Sequence, residues 1–377
     1  MCSSDLRGTR YSRRNQLIKP VAAQAGSPGH PLVVCWALLL LVPATPPDTL
    51  AAGQTFRDVV FTEYGERSSN PELVRRLLSP LAAARLEREL ARSGRAMAGQ
   101  PVNLAEERFL VYVPSQHRAR GYGLLVFVPP WQDARLPQGW ARVLDRFGVI
   151  FVSAARSGND ENALGRREPL ALLAAENIIR QYPVDPERLY IAGFSGGSRV
   201  ALRLVLGYPD LFRGAILNAG SDPIGNSEIP LPPRDLLVKF QSSAHLVYVT
   251  GELDTAHVSD DLASMRSVRQ WCVFNVDNFL QPRVGHEVAA AAALARSLGY
   301  LVDNTQPDPA KLAACRSAIE AELETKLQSV ESLIAEGQKA EAHKRLNKVD
   351  ERFGGMAASR SLDLASKLRQ SRERRRG

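Results

Sequence analysis

The chain has 377 residues, of which 45% are hydrophobic and 23% charged, as is typical of a globular protein with one large or two modest domains. Its net charge of +8 comes from its ends, since residues 1–30 carry +4 and residues 359–377 carry +5. The residues between sum to −1, which argues against a basic face for nucleic acid, and we expect no nucleic-acid partner.

The first fifty residues indicate export. Residues 32–42 form an apolar run of signal-peptide length, which follows Arg13, Arg14 and Lys19 and precedes a proline-rich stretch. The run is short for a membrane-spanning helix, so an uncleaved anchor is the weaker alternative. We therefore predict a leader over residues 1–52, a secreted or periplasmic protein, and no membrane contact once the leader is removed.

Residues 53–104 are predicted to be an N-terminal helical segment that packs on the main domain. Over residues 70–98 the leucines recur at helical spacing among many arginines, and Asn70 with Pro71 forms the expected helix start. We treat this stretch as one amphipathic helix.

Residues 105–303 alternate between short apolar runs and stretches with helical spacing. Strands are predicted at residues 108–114, 124–128, 149–153, 215–220, 246–251 and 271–276, with one more directly before Ser195. Helices are predicted at residues 140–147, 170–182 and 288–298, with one more directly after Ser195. This alternation predicts the α/β class: a mostly parallel sheet with helices on both faces and catalytic groups at the carboxyl ends of its strands.

Residues 304–377 read as a C-terminal helical extension. Apolar residues repeat at spacings of three and four from Cys315 to Ile334, and shorter helices are predicted at residues 340–353 and 361–368. One helical hairpin of the tetratricopeptide type cannot bury a core alone, so it should contact the main domain or another protein. Cys272 and Cys315 are the two cysteines outside the predicted leader, and they could form a disulfide or remain free thiols.

The chemistry of the chain centres on the run Gly193-Phe194-Ser195-Gly196-Gly197 between a predicted strand and a predicted helix. This is the pattern of a nucleophile elbow, a sharp turn that lifts the serine hydroxyl above the sheet. Glycines at 193 and 197 leave room where side chains would collide, and the N–H of Gly196 can face a developing oxyanion.

A serine nucleophile needs a base and an orienting acid, which follow it along the chain in the order acid, histidine. His286 is the candidate base because it lies in a loop directly before the last helix of the main domain, and His257 is the reserve. Asp254 is the candidate acid and Asp222 its competitor, although either aspartate could instead cap a helix.

The run of residues 184–197, with Tyr208-Pro209-Asp210-Leu211-Phe212 after it, resembles the α/β-hydrolase esterases of the polyhydroxybutyrate depolymerase-like family. The resemblance spans residues 108–298 and implies a secreted serine esterase without a cofactor. It maps the nucleophile to Ser195, the acid to Asp254 and the base to His286. Where that family has His-Gly, this chain has Pro129-Pro130, so the second oxyanion donor is expected to be the N–H of Trp131.

These features predict an exported serine carboxylic ester hydrolase that acts on an ester substrate through an acyl-enzyme, with no cofactor and no metal site. A serine peptidase of the same fold and a degenerate, hydrolase-like binding protein are the alternatives. About twenty residues separate Asp222 from His245, which argues against a large lid. We expect an open site with Trp131, Phe194 and Arg156 at its rim, where Arg156 could pair with a substrate carboxylate.

Overall fold

The computed structural model describes residues 53–303 and 305–373, so the predicted leader lies outside the described residues. An eight-stranded sheet forms the centre of the molecule. Its strands are β1 (Gln54–Val59), β2 (Phe109–Val113), β3 (Tyr122–Val128), β4 (Val149–Ala154), β5 (Val184–Phe194), β6 (Gly214–Asn218), β7 (His245–Gly251) and β8 (Val276–Gln281).

The strand order is β1-β2-β4-β3-β5-β6-β7-β8. The pairs β1–β2 and β2–β4 are antiparallel, and every later pair is parallel. This is the sheet of an α/β-hydrolase fold, and it confirms the predicted fold class.

Helices cover both faces of the sheet. They are α1 (Asn70–Leu77), α2 (Pro80–Arg92), α3 (Trp140–Phe147), α4 (Glu168–Gln181), α5 (Gly196–Gly207), α6 (Arg234–Ser243), α7 (Thr255–Gln270), α8 (Ala291–Val302), α9 (Pro309–Ala335), α10 (Lys339–Phe353) and α11 (Ala358–Glu373). Alternate residues of β3 belong to different cores: Leu124 and Val126 pack with α4 and α5, and Leu125 packs with α3 and α8. Because both faces are covered, the central strands are apolar throughout.

The N-terminal segment differs from its prediction in two ways. It begins with β1, which the sequence analysis did not identify; β1 is largely exposed and pairs with β2 at the sheet edge. The single predicted helix is two helices, because Pro80 lacks the N–H that a continuous helix needs and holds Ser79 in an extended conformation. Ser79 then caps the start of α2 through the N–H of Ala82.

The strand predicted at residues 271–276 is wrong. The last helical residue of α7 is Gln270, Cys272 adopts a left-handed φ of 65°, and the strand that pairs with β7 is β8, which starts at Val276. Trp271, Cys272 and Val273 are apolar because they fill the core beneath the C-terminal helices. These three residues are therefore hydrophobic because they are buried, and they do not belong to a strand.

The C-terminal helices pack on the rest of the chain, in the same compact unit as the sheet. A disulfide joins Cys315 on α9 to Cys272, which resolves the pairing that the sequence left open. Asp350 on α10 accepts hydrogen bonds from the Ser79 hydroxyl at 2.5 Å and the Leu81 N–H at 3.0 Å, at the start of α2. The predicted apolar face of α9 is thus covered within this chain. Within the described ranges no helix combines the length and hydropathy that a membrane span requires.

Candidate active site

Ser195 occupies the turn between β5 and α5. Its backbone has φ 54° and ψ −125°, a strained conformation for a residue with a side chain, and its N–H donates to the Asn218 carbonyl at 2.8 Å. A Cβ on Gly193 would collide with the Gly197 carbonyl oxygen, and a Cβ on Gly197 would collide with that of Val128. The two glycines therefore let the elbow close on itself and on the end of β3.

The side chains of Ser195, His286 and Asp254 are connected by two hydrogen bonds. Its Oγ lies 3.0 Å from His286 Nε2, and His286 Nδ1 lies 2.6 Å from Asp254 Oδ2. Because a carboxylate only accepts, the Nδ1–H of His286 donates to Asp254, which leaves Nε2 to accept the serine proton. This is the geometry of a nucleophile, a general base and an orienting acid.

Two loops bring the acid and the base together. Asp254 follows β7 and His286 follows β8, so both stand at the carboxyl ends of neighbouring parallel strands. A Cβ on Gly251 would collide with the carbonyl oxygens of Val284 and Gly285, and the Leu253 N–H donates to Val284 at 2.9 Å. The missing side chain at Gly251 thus lets the histidine loop lie against the turn that carries the acid.

The structure separates the two candidate acids. Asp222 forms an ion pair with Arg199 at 2.8 Å, whereas Asp254 contacts the histidines. Asp254 stands at the first position before α7, but its carboxylate makes no capping hydrogen bond. Burial by itself raises the pKa of Asp254, but hydrogen bonds from His257 and His286 outweigh it and hold the pKa below its usual value.

His257, the reserve base, contacts Asp254 and not the serine. Its Nδ1 lies 2.7 Å from Asp254 Oδ1, so each carboxylate oxygen accepts from a different imidazole. The two imidazole rings stack with centroids 4.3 Å apart and planes 21° apart. His257 therefore fixes the orientation of the acid and lies flat against His286.

Asp254, His257 and His286 are also the kind of donor set that binds a metal ion, with ligand atoms within 4.8 Å of one another. A metal bonded to an imidazole nitrogen lies in the plane of that ring at about 2.0–2.1 Å. Two nearly parallel rings 4.3 Å apart cannot both hold one ion in their planes unless one ring turns. The arrangement therefore fits a doubly hydrogen-bonded carboxylate better than a coordinated ion.

The predicted oxyanion donors lie next to the elbow. Gly196 is the first residue of α5, and the loop after β3 that carries Trp131 follows Val128, whose carbonyl contacts Gly197. Within the described part of the chain, neither the Gly196 N–H nor the Trp131 N–H has a hydrogen-bond acceptor. Both N–H groups are thus available, and the helix dipole of α5 adds to the positive potential at Gly196.

The three residues predicted at the rim behave differently. Trp131 is half-buried, and Arg135 stacks on its ring at 3.9 Å. Phe194 is buried beneath the site and packs against His286 at 4.8 Å, so it supports the base more than it lines the rim. Arg156 does not join the cluster: its guanidinium donates to the Glu106 carbonyl at 2.7 Å and pairs with Glu107 at 3.2 Å. The Arg156 guanidinium therefore already has protein partners, whereas the sequence predicted that it could pair with a substrate carboxylate.

Sequence reasoning missed Asn218, a buried residue at the end of β6. Its Nδ2 donates to the Val249 carbonyl at 2.8 Å, and its Oδ1 accepts from the Ala289 N–H at 2.6 Å. Its own carbonyl accepts from Ser195, so Asn218 connects the elbow with the histidine loop. The available signal was a polar residue at the carboxyl end of an otherwise apolar strand.

No protein-family model and no curated protein matches the sequence. Among solved structures, the chain is similar to S-formylglutathione hydrolase (FrmB) from Staphylococcus aureus, at 13% identity and TM-score 0.43 over 52% of this chain and 93% of that one. It is also similar to acetyl xylan esterase from Aspergillus awamori, at 14% identity and TM-score 0.39 over 52% and 96%. A third similar structure, Porphyromonas gingivalis dipeptidyl peptidase 4, has 16% identity and TM-score 0.39 over 53% of this chain.

The chain spans only 34% of that dipeptidyl peptidase. Likenesses at this level do not identify an activity. The strand order and the side-chain geometry instead lead to one conclusion: the chain has an α/β-hydrolase fold, with a serine, a histidine and an aspartate hydrogen-bonded in sequence at the carboxyl ends of its strands.

Proposed function

We propose that this chain is a serine carboxylic ester hydrolase of the polyhydroxybutyrate depolymerase-like family. The observation that carries the proposal is the hydrogen-bonded series from Ser195 through His286 to Asp254, with distances of 3.0 and 2.6 Å. The strained elbow at Ser195 and the two available N–H groups beside it support the same chemistry.

In the proposed reaction, Ser195 Oγ attacks the ester carbonyl while His286 Nε2 takes its proton. The N–H groups of Gly196 and Trp131 stabilise the tetrahedral oxyanion. His286 then returns the proton to the leaving alkoxide, which departs as an alcohol and leaves an acyl-serine. A water molecule, deprotonated by His286, attacks the acyl-serine, and the acid is released as Ser195 recovers its proton. Asp254 stays ionised and stabilises the imidazolium in both halves.

The exposure of the base favours an open site. The His286 side chain is 39% exposed, and residues 231–233, before α6, pack against Gly354 and Gly355 between α10 and α11, so we expect no large lid over the serine. An open site accepts short acyl groups and extended chains alike. We therefore propose esters of small or chain-like acids as substrates, without naming one natural ester.

Export is part of the proposal. The apolar run at residues 32–42 and the basic residues before it support a cleaved leader. The disulfide between Cys272 and Cys315 supports an oxidising compartment, because disulfides persist in secreted and periplasmic proteins. We propose that the mature protein is secreted or periplasmic.

An ester panel on the mature protein tests the activity. We expect hydrolysis of p-nitrophenyl esters, a loss on the order of a millionfold for Ser195→Ala, and no loss for the exposed control Ser227→Ala. Hydrolysis of p-nitroanilide amides at a comparable rate would favour the peptidase reading. Ester activity that survives in Ser195→Ala would overturn the assignment of the nucleophile.

A further inference from the structure

A cavity of about 570 Å³ opens at the amino ends of the parallel strands. The starts of β5, β6 and β7 reach it, together with the loop before β3 and the end of α8. Ser195 lies at the carboxyl ends of the same strands, so the cavity is separate from the proposed active site. We call it the arginine cavity because Arg118, Arg120, Arg188 and Arg213 line it.

The charges of the arginine cavity do not balance. Asp185 and Glu187 are the acidic residues that line it, and each already has an arginine partner. Arg120 pairs with Asp185 at 3.3 Å, and Arg213 pairs with Glu187 at 3.0 Å. Among the described residues, Arg118 and Arg188 have no carboxylate within ion-pair distance.

Arg188 is the deepest of these cations. It is 7% exposed, and its guanidinium donates to the backbone carbonyls of Gly121, at 3.4 Å, and Phe147, and interacts with the Tyr190 side chain. Its Nε has no acceptor within the described ranges, and neither does the Nε of Arg213. Burial, and after it the charge of Arg118, lower the pKa of Arg188. Asp185 favours the charged form of Arg188 without reaching ion-pair distance, and a buried cation that no carboxylate contacts gains from a bound anion.

A buried histidine, His245, also lines this wall. Both ring nitrogens of His245 lie near backbone carbonyl oxygens, Nδ1 at 3.2 Å from Ser243 and Nε2 at 3.1 Å from Thr305. The four arginines therefore give the cavity its N–H donors and positive charge, and its two carboxylates are already paired with arginines.

We propose that the arginine cavity binds a small molecule that carries a phosphate group. A phosphate group is close to a dianion at neutral pH, which matches the two arginines without carboxylate partners. Planar guanidinium groups bind phosphate oxygens with paired N–H donors. The volume is larger than one phosphate ion needs and lies within the roughly 300–1,000 Å³ of small-molecule sites, and Leu301 and Val302 offer an apolar wall for the organic part.

Calorimetric titration and thermal unfolding of the whole chain test the proposal, with inorganic phosphate and glycerol 3-phosphate as probes and chloride added to hold ionic strength constant. We expect both probes to bind and to raise the melting temperature, since a ligand that binds only the folded state stabilises it. We expect Arg118→Gln to weaken binding at least tenfold and the control Arg92→Gln, another exposed arginine, to leave it unchanged. Tighter binding of glycerol 3-phosphate than of phosphate supports an organic phosphate as the occupant, and equal binding supports free phosphate.

Three results would overturn the proposal: no binding heat and no thermal shift at 10 mM probe, equal weakening by the two variants, or an equal response to citrate. Arg118 is the better variant because it is exposed, whereas a change at Arg188 removes a buried structural contact. The readout does not use ester hydrolysis, so its failure is independent of the proposed activity.

Discussion

Among single residues, Asp254 contacts both histidines of the site, since its two carboxylate oxygens accept hydrogen bonds from two different imidazoles.

Replacing Asp254 with asparagine keeps the shape of the side chain but stabilises the wrong tautomer of His286. In a serine triad that change has cost about ten-thousandfold in turnover, and we expect a loss approaching this size for Asp254→Asn. Asp222→Asn should lose little, because Asp222 pairs with Arg199. Initial rates on one p-nitrophenyl ester, with folding checked by circular dichroism, compare the two; the reverse ranking would transfer the acid role.

His257 should act as a positioning residue through that shared carboxylate. We expect His257→Leu to lower kcat about tenfold with little change in KM, because a hydrogen bond to a charged group contributes roughly 1.5–3 kcal/mol and part of it survives by relaxation. His257→Asn should recover much of the loss, since its Nδ2 can stand where His257 Nδ1 stands. Steady-state measurement of kcat and KM tests this, with His117→Leu as a control far from the triad. Equal kcat and KM for His257→Leu and wild type would show that His257 does not position the triad.

Glycine spacing and chain order were sufficient to select Ser195, His286 and Asp254 as candidates, with Asp222 as the competing acid, and the structure joins the first three by hydrogen bonds. It could not predict that His257 would share Asp254, or that Asn218 would connect the elbow to the histidine loop. Those hydrogen bonds join residues far apart in the chain and depend on how β6, β7 and β8 align. The prediction for Arg156 failed for the same reason, because its ion pair with Glu107 forms between residues that are far apart in the chain.

At the scale of elements, Asp261 on α7 fixes the loop after β6. It accepts from the N–H groups of Gly220 and Ser221 and from the Thr250 hydroxyl, and burial raises its pKa to about 6. Because the pKa is raised on folding, its contribution to stability is complete below pH 4 and is lost as the pH rises through about 6.

Asp261→Asn should remove this pH dependence while keeping a side-chain oxygen for the two N–H groups. A shift from 3.8 to about 6 corresponds to roughly 3 kcal/mol, so the variant should gain about that much relative to wild type between pH 4 and pH 7. Urea unfolding at several pH values measures the difference, and subtracting wild type from variant removes the contributions of other carboxyl groups. A difference that does not change with pH would contradict the assigned cause.

Several elements could be predicted from local pattern alone. The helix predicted at residues 140–147 is α3, with the same bounds, because its apolar face and the glycine after it are local signals. The long C-terminal helix was also predicted, and in the structure the Asp308 side chain caps its start. The exposed strand β1 and the edge strand β8 lack the apolar pattern of buried strands, so only their pairing partners define them. The proline at position 80 was a sequence signal for the break between α1 and α2, and the prediction of one helix overlooked it.

Across the whole molecule, the C-terminal helices pack in one compact unit with the sheet, and a disulfide joins α9 to the segment after α7. The disulfide closes a segment of 43 residues, for which the loss of chain entropy in the unfolded state corresponds to about 4 kcal/mol. We expect the double variant Cys272→Ser/Cys315→Ser to lose stability of that order while ester turnover per folded molecule stays unchanged. Urea unfolding with and without dithiothreitol measures it: the reductant should destabilise wild type and leave the variant unaffected. A loss of turnover in the folded variant would mean that these helices shape the site.

The proposed activity requires that Ser195 is a nucleophile activated by His286 and Asp254. A fluorophosphonate probe tests it most directly, because it reacts with an activated serine whatever the natural ester is. We expect stoichiometric labelling of the wild-type protein on the peptide that contains Ser195, no labelling of Ser195→Ala, and strongly slowed labelling of His286→Ala. A folded wild-type protein that stays unlabelled, or a Ser195→Ala variant that is still labelled, would contradict it.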